Sequence, residues 1–264
     1  FAGNSEIEER FYDNNALKSD FNIYTKWNYF IGSSFKVYAD LQCRRVTYKT
    51  FGLDIDGRDI SLSDELNFLN PKLGFEWNIR ENQGLYAFYG YTNREPVRND
   101  YIDAPQGNVP TPESMHNIEL GYDLRSERLA FTANYYLMYY QNQLVLTGEL
   151  NDVGSSIRTN VDESYRTGIE LSANYKILET LILGGNLTLS RNRISTFKEV
   201  IPAFDESFGP APNIENEYSN VPITLSPEVI SGVTLNWMPI KGSEITWFSK
   251  YVGRQYLDNT GNEE

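Results

Sequence analysis

Apolar and polar residues alternate along most of this chain. In the stretch 115–126, Ile118, Leu120, Tyr122 and Leu124 fall on one face, and Asn117, Glu119, Gly121, Asp123 and Arg125 fall on the other. Successive side chains of a strand point to opposite faces, so the spacing predicts a strand with one apolar and one wet surface. The next stretch, 128–140, sets Leu129, Phe131, Ala133, Tyr135, Leu137 and Tyr139 against Arg128, Thr132, Asn134, Tyr136 and Met138. Upstream, Leu73, Phe75, Trp77 and Ile79 alternate with Lys72, Gly74, Glu76, Asn78 and Arg80. The same period runs through 165–176, 181–192 and 228–237, with weaker copies at 21–31, 34–48, 85–94 and 244–256. A helix would need apolar residues three and four apart, and these segments lack that spacing.

The connections carry a second signal. Short ones fall near 32–34, 81–84, 126–127, 178–179 and 239–243, and long ones near 1–20, 50–70, 94–114, 141–162, 193–222 and from Asp258 onward. Such alternation marks outer-membrane barrels, whose periplasmic turns are tight and whose extracellular loops are elaborate. A lipocalin-like soluble barrel has about eight strands, fewer than the about ten read here. The expected fold is therefore all-β: an antiparallel transmembrane β-barrel, with the whole chain one domain.

Composition narrows the partners. The net charge is −13 and the isoelectric point about 4.6, which argues against nucleic acid. No run approaches the roughly 18 apolar residues of a spanning helix, and a mean hydropathy of −0.48 suits a barrel with a polar lumen. Tyrosine occurs 19 times. Tyr and Trp favour the membrane–water boundary, where a ring sits in lipid and its polar tip stays wet. Tyr12, Trp27, Tyr29, Trp77, Tyr122, Tyr135, Tyr139, Tyr175, Trp237 and Trp247 are the girdle candidates.

Chemistry-bearing residues are sparse. Cys43 is the one cysteine; it allows no internal disulfide and reads as a small apolar residue facing lipid or buried. His116 is the only histidine, so neither a metal centre nor a Ser/His or Asp/His catalytic set is expected. The loop carrying Asp54, Asp56, Asp59, Asp64 and Glu65 looks at first like a calcium loop, but Gly57 and Arg58 break the ligand spacing. It reads as a solvated acidic loop, bridged to lipopolysaccharide by divalent ions.

Specific wording then points to a family. Tyr38-Ala39-Asp40-Leu41-Gln42 followed by Arg44-Arg45-Val46 and Tyr48 resembles a strand of TonB-dependent outer-membrane receptors. So do Asn70-Pro71-Lys72, Tyr86-Ala87-Phe88, Thr92-Asn93-Arg94-Glu95-Pro96, Pro112-Glu113-Ser114 with Glu119-Leu120-Gly121-Tyr122, Asn134 to Tyr139 with Asn142 to Val145, and Arg166 to Leu171. They fall in the family's order from about 20 to 256, in the C-terminal half of its barrel. The run Leu146 to Gly154 is most similar to receptors of Bacteroidetes-type bacteria.

The resemblance implies a barrel of about twenty-two strands around a plug, in the outer membrane of a Gram-negative bacterium. It implies uptake of a scarce metal chelate (a ferric siderophore, haem or cobalamin) with energy from the TonB complex acting through the plug. The alternatives are oligosaccharide import and a non-transport barrel, an adhesin or an enzyme. The family carries an N-terminal plug and a TonB-contacting box and ends on an aromatic residue; 1–264 shows none of these, so the chain is expected to be a partial barrel. No enzymatic chemistry and no cofactor is implied. Ligand contacts are expected from the outer loops, at Arg98, Asp100, Tyr101, Phe204, Phe208 and Tyr218. Arg94-Glu95-Pro96 reads as rim architecture, and the prolines of 197–222 predict a structured cap. Plug-facing lumen residues are expected at Arg44, Lys72, Glu76, Glu119, Asp123, Arg166 and Glu170, with Lys176 and Glu228 beside them.

Overall fold

Each alternating stretch is realised as a long strand. The computed structural model describes residues 13–54, 57–104, 109–150, 156–204, 206 and 209–262. Eleven strands follow one another: β1 (Asp13–Ile31), β2 (Phe35–Leu53), β3 (Leu62–Arg80), β4 (Gln83–Arg94), β5 (Glu113–Arg125), β6 (Leu129–Leu150), β7 (Ser156–Leu178), β8 (Leu181–Phe204), β9 (Pro210–Pro222), β10 (Val229–Trp237) and β11 (Ile245–Val252). Among the described residues a single short helix, α1 (Arg98–Ile102), lies between β4 and β5. The strands make one sheet in the order β1 to β8, then β10 and β11, while β9 pairs β8 off this path.

Several of the expected long loops are corrected by this arrangement; within 50–70, β2 runs to Leu53 and β3 begins at Leu62, and within 1–20, β1 begins at Asp13. The connection 141–162 is mostly strand, because β6 runs to Leu150 and β7 begins at Ser156. The connection 193–222 is a hairpin in which Phe197 opposes Tyr218 and Ile201 opposes Ile214. In both segments apolar residues meet one another instead of lipid, and the two-residue period breaks: adjacent Leu144 and Val145 are both buried, as are Ile194 and Phe197, three apart. Tight turns fall after Ile31, Arg80, Arg125 and Leu178, where the sequence predicts them. Gly32 sits in the first of these at φ 62°, where a side chain would be strained.

The sheet divides into two compact units. One comprises β1 as far as Thr25 together with Leu41–Asn70; the other comprises Lys26–Asp40 and the chain from Pro71 onward. Within the first, Arg44 grips Asp20, with its Nε 3.1 Å from both carboxylate oxygens. Asn70 donates to Gln42 Oε1 at 3.0 Å, and Arg45 pairs with Glu65 at 2.7 Å. Val46, Tyr48 and Phe68 are buried, while Cys43, Arg45 and Lys49, on the alternate positions of β2, are exposed.

The second unit shows its two faces row by row. Across β3, β4, β5 and β6 one row reads Trp77, Leu85, Tyr122, Ala133, and the next reads Phe75, Ala87, Leu120, Tyr135. It continues over β7, β8 and β10 through Ile169, Leu189 and Val229. Many of these side chains are exposed, as a surface covered by lipid requires. Aromatic rings flank the band. Phe35 stacks on Trp77 near the tight turns, with Tyr122, Phe131, Tyr175, Trp237 and Trp247 at similar positions on later strands. Toward the long connections, Tyr91, His116 and Tyr139 make the other edge, with centroids 4.8 and 6.5 Å apart. From Phe131 to Tyr139 is ~27 Å of strand, or about 20 Å along the normal at a tilt of about 40°, near the ~25 Å apolar band of such barrels. Of the other girdle candidates, Tyr135 lies mid-band between Phe131 and Tyr139, Trp27 and Tyr29 stand exposed on β1, and Tyr12 lies outside the described residues.

Tyrosines on the opposite face cover glycines. A Cβ on Gly74 would overlap the ring of Tyr38, one on Gly121 the ring of Tyr86, and one on Gly168 would meet the ring of Tyr136. The aromatic thus fills the space a side chain would take, a device that pins strand register.

Candidate functional site

The wet face forms a continuous wall. One row runs Glu76, Tyr86, Gly121, Asn134, Glu170, Thr188 and Ile230, and the adjacent row runs Gly74, Phe88, Glu119, Tyr136, Gly168 and Ser190. Lateral polar contacts tie it together. Lys36 Nζ lies 2.9 Å from Glu76 Oε1. The Tyr86 hydroxyl donates to Asn134 Oδ1 at 2.8 Å, and Asn134 Nδ2 reaches Glu170 Oε2 at 3.4 Å. Asn117 donates to Glu119 at 2.7 Å, and Arg166 donates to Ser226 Oγ at 2.8 Å. A cavity of about 210 Å³ on this wall is lined by Tyr38, Glu76, Asn78, Tyr86 and Asp123, among others.

The structure thus brings Glu76 and Asp123 to one cavity and sets Glu119 and Glu170 in neighbouring rows. Lys72 opposes Gly90 further toward the long connections. Lys176 pairs with Glu179 at 3.2 Å beside a tight turn, and Glu228 pairs with Arg193 at 2.6 Å. Arg44 belongs to the other unit and is held by Asp20. Part-exposed ion pairs of this kind are each worth on the order of 0–1 kcal/mol. They hold side chains in place without binding any partner tightly.

Beyond the aromatic edge the strands build a rim with a core of its own. Val145, Val161, Ile194, Phe197, Val221 and Ile223 pack together, and Tyr218 rests against them. The Tyr218 hydroxyl donates to Glu199 at 3.0 Å, which raises the phenol above its ordinary value of 10.0. Arg94 pairs with Glu113 at 2.9 Å, and Glu113 accepts the backbone N–H of Leu144 at 3.1 Å. Asn259 is fully buried; it donates to the Leu146 carbonyl and accepts the Thr224 N–H at 2.8 Å.

The expected ligand residues occupy different environments on this rim. Asp100 is buried and accepts the Val97 N–H at 2.7 Å, with the Arg158 guanidinium 3.5 Å away, so it fastens α1 to β7. That role positions its neighbours: Arg98 is exposed and Tyr101 half-buried on the same helix. Phe204 ends β8, and Phe208 lies outside the described residues. Asp59 is held below the usual carboxyl value first by the side-chain hydroxyl of Ser61 and then by that residue's backbone N–H, 2.9 Å away. Among the described residues no cluster of His, Cys, Asp and Glu could hold a metal. His116 faces outward, with Nδ1 2.9 Å from the Tyr89 hydroxyl. Sequence reading missed Asn134 and Asn259, whose roles depend on partners 36 and 113 residues away.

The family of TonB-dependent receptor-like β-barrels matches residues 2–264. The chain belongs to that family. Its members are outer-membrane transporters of Gram-negative bacteria, not enzymes. Solved receptor barrels share the fold. The ferric citrate transporter FecA, unliganded, superimposes with a TM-score of 0.72 over 96% of this chain and 35% of that one, at 16% identity. The siderophore receptor PiuA of Acinetobacter baumannii gives 0.71 over 94% and 35%, at 17% identity. The copper transporter OprC gives 0.65 over 84% and 32%, at 16% identity. This receptor barrel chain therefore spans about a third of the length of those structures. No functionally curated protein matches it.

Proposed function

We propose that this chain is wall and rim of a receptor that takes up a scarce metal chelate, a ferric siderophore, haem or cobalamin, with energy from TonB relayed by a plug. The observation that carries the reading is family membership along the whole chain, joined to a fold shared with transporters named for ferric citrate and siderophores. The geometry supports it in two places. The wall presents Glu76, Glu119, Asp123, Glu170, Lys72 and Arg166 as modest, water-screened contacts that a moving plug can exchange. The rim holds Arg98 and Tyr101 on a helix anchored by Asp100, where a guanidinium can pair with an anionic chelate and a ring can stack on it. Tyr218, on the β8–β9 hairpin, completes the proposed contacts together with Phe204 and Phe208.

Abundance of the protein in outer membranes of its source bacterium tests this, with cells starved separately of iron and of cobalamin. A rise under iron starvation alone is expected for a siderophore or haem receptor, and Arg98→Ala and Tyr101→Ala should then weaken chelate binding. A rise under cobalamin starvation alone assigns a corrinoid. No response to either overturns the metal-chelate reading in favour of a glycan importer or a non-transport barrel.

A further inference from the structure

Tight turns join β1 to β2, β3 to β4, β5 to β6 and β7 to β8, so each of these pairs is closed by its own short connection. Neighbouring pairs meet at β2–β3, β4–β5 and β6–β7. At each of these three contacts a tyrosine of the earlier strand covers a glycine of the later one: Tyr38 over Gly74, Tyr86 over Gly121 and Tyr136 over Gly168. The last two couples are direct partners across the ladder. Among the described residues no tyrosine covers a glycine inside a tight pair. The rings therefore sit where no short turn fixes the register, and a ring seated on a glycine fixes it instead.

The fourth contact between pairs departs from the pattern. There β8 meets β10, the first strand of the pair β10–β11, and Gly232 stands directly opposite Asn186. The glycine is in place, but the ring is missing: an added Cβ would stand 3.2 Å from the Asn186 amide nitrogen. On the other face Gly185 stands opposite Val233, and a side chain there would touch only the Gly232 carbonyl, at 3.5 Å. The strand is short as well, nine residues in β10 against 13 in β5 and 23 in β7. Among the described residues no side-chain hydrogen bond joins β8 to β10. The fastenings lie beyond its ends. The Ser190 N–H donates to the Glu228 carbonyl at 2.7 Å and the Met238 N–H to the Thr180 carbonyl at 2.8 Å, and Glu228 also pairs with Arg193. Between them the backbone ladder works with little side-chain cover, and such segments open at lower free energy than well-covered ones.

We propose that tyrosine-on-glycine catches fasten successive hairpins of the second unit to one another, and that Asn186–Gly232, the catch without its ring, makes β8–β10 the seam at which the wall yields. The seam is a property of the wall and is independent of which cargo the receptor carries. Amide hydrogen exchange of the full-length protein in lipid vesicles reads it. Amides of β10 should exchange about tenfold faster than those of β5 and β7. Asn186→Tyr, which supplies the ring, should bring β10 to within about threefold of β7, while Asn186→Ser leaves it fast. Tyr136→Ala, which removes a catch, should move β7 toward the rate of β10. Equal protection of β10 and β7 in the unaltered protein would overturn the assignment. So would a β10 no slower in Asn186→Tyr, or one slowed as much by Asn186→Ser. If Asn186→Tyr fails to fold, the unaltered profile and Tyr136→Ala still decide it. None of these results bears on the iron and cobalamin experiment.

Discussion

Along β8, Leu181 to Leu189 and Ile194 to Phe197 belong to one uninterrupted strand, yet they treat apolar side chains in opposite ways. In the first part Leu183 and Leu189 stand 40% and 47% exposed, because lipid covers them; in the second Ile194 and Phe197 are almost fully buried. The same holds elsewhere. In the second unit the buried hydrophobic residues Leu144, Val145, Val161, Ile194, Phe197, Val221 and Ile223 all lie at or beyond the outer aromatic edge. Inside the band the bilayer serves as the apolar phase, so the wall needs no core. Outside it water returns, and the strands must bury their apolar residues against one another. One continuous strand therefore satisfies two solvents, and the rim packs like a small soluble core grown from a membrane wall.

The most disruptive way to probe this contrast is to empty the rim core. Phe197→Ala should destabilise the rim by about 3–5 kcal/mol, the usual range for truncating a buried aromatic residue. The loss should be local. Amide exchange in β8 beyond Ile194 and in β9 should speed up, while the heat-modifiable gel shift of the barrel stays as it was. A barrel that unfolds as a whole would show that rim and wall are a single cooperative unit.

Next comes the contrast between the two faces inside the band. Leu120→Arg places a charge on the lipid side and should cost about 2–4 kcal/mol in folding into vesicles. Thr132→Arg, on the lumen side opposite Asp123, should stay within about 1 kcal/mol of the unaltered protein. Comparable penalties for the pair would mean that the inward face is not wet.

A smaller effect is expected where tyrosines cover glycines. Gly121→Ala pushes a methyl group into the Tyr86 ring and should cost about 1–3 kcal/mol as overpacking. In the Tyr86→Ala background the same change should cost far less, so a double-mutant cycle gives a clear coupling. Strict additivity would reduce the pairing to coincidence.

The wall was legible in the sequence and the rim only partly. Period-two alternation at Leu73 to Ile79 or Ile118 to Leu124 names both faces, because lipid on one side and water on the other leave only one way to place each residue. The tight turns after Ile31, Arg80, Arg125 and Leu178 were legible too, because they separate neighbouring alternating stretches. Beyond the edge that constraint lapses. Leu144 and Val145 are adjacent and both buried, and so are Ile194 and Phe197, three apart; with the two-residue period broken, the strand extensions looked like loops. Asp100 illustrates the second gap. Its acidity and loop position suggested a ligand contact, whereas its use as the anchor of α1 depends on Arg158, 58 residues further along. Gly121 reads as an ordinary strand glycine until Tyr86 is seen lying over it.

The mildest test addresses the rim through its titration. Tyr218 donates to Glu199, and this bond is the first cause of the raised phenol pKa, ahead of desolvation and the charge of Glu199 itself. A group titrating higher in the folded than in the unfolded state contributes stability that is complete below the unfolded value and is lost as pH rises through the folded one. The unfolded reference is 10.0, so the bond should hold unchanged through neutral and mildly alkaline solution. Protection of the β8–β9 hairpin against proteolysis should accordingly stay flat from about pH 7 to about pH 9 and fall only above about pH 10. Tyr218→Phe, which keeps the ring against the rim core and removes the proton, should show no such alkaline step while retaining most of the protection. A step that persists in the phenylalanine variant would move the titration to another group and leave Tyr218 with a packing role alone.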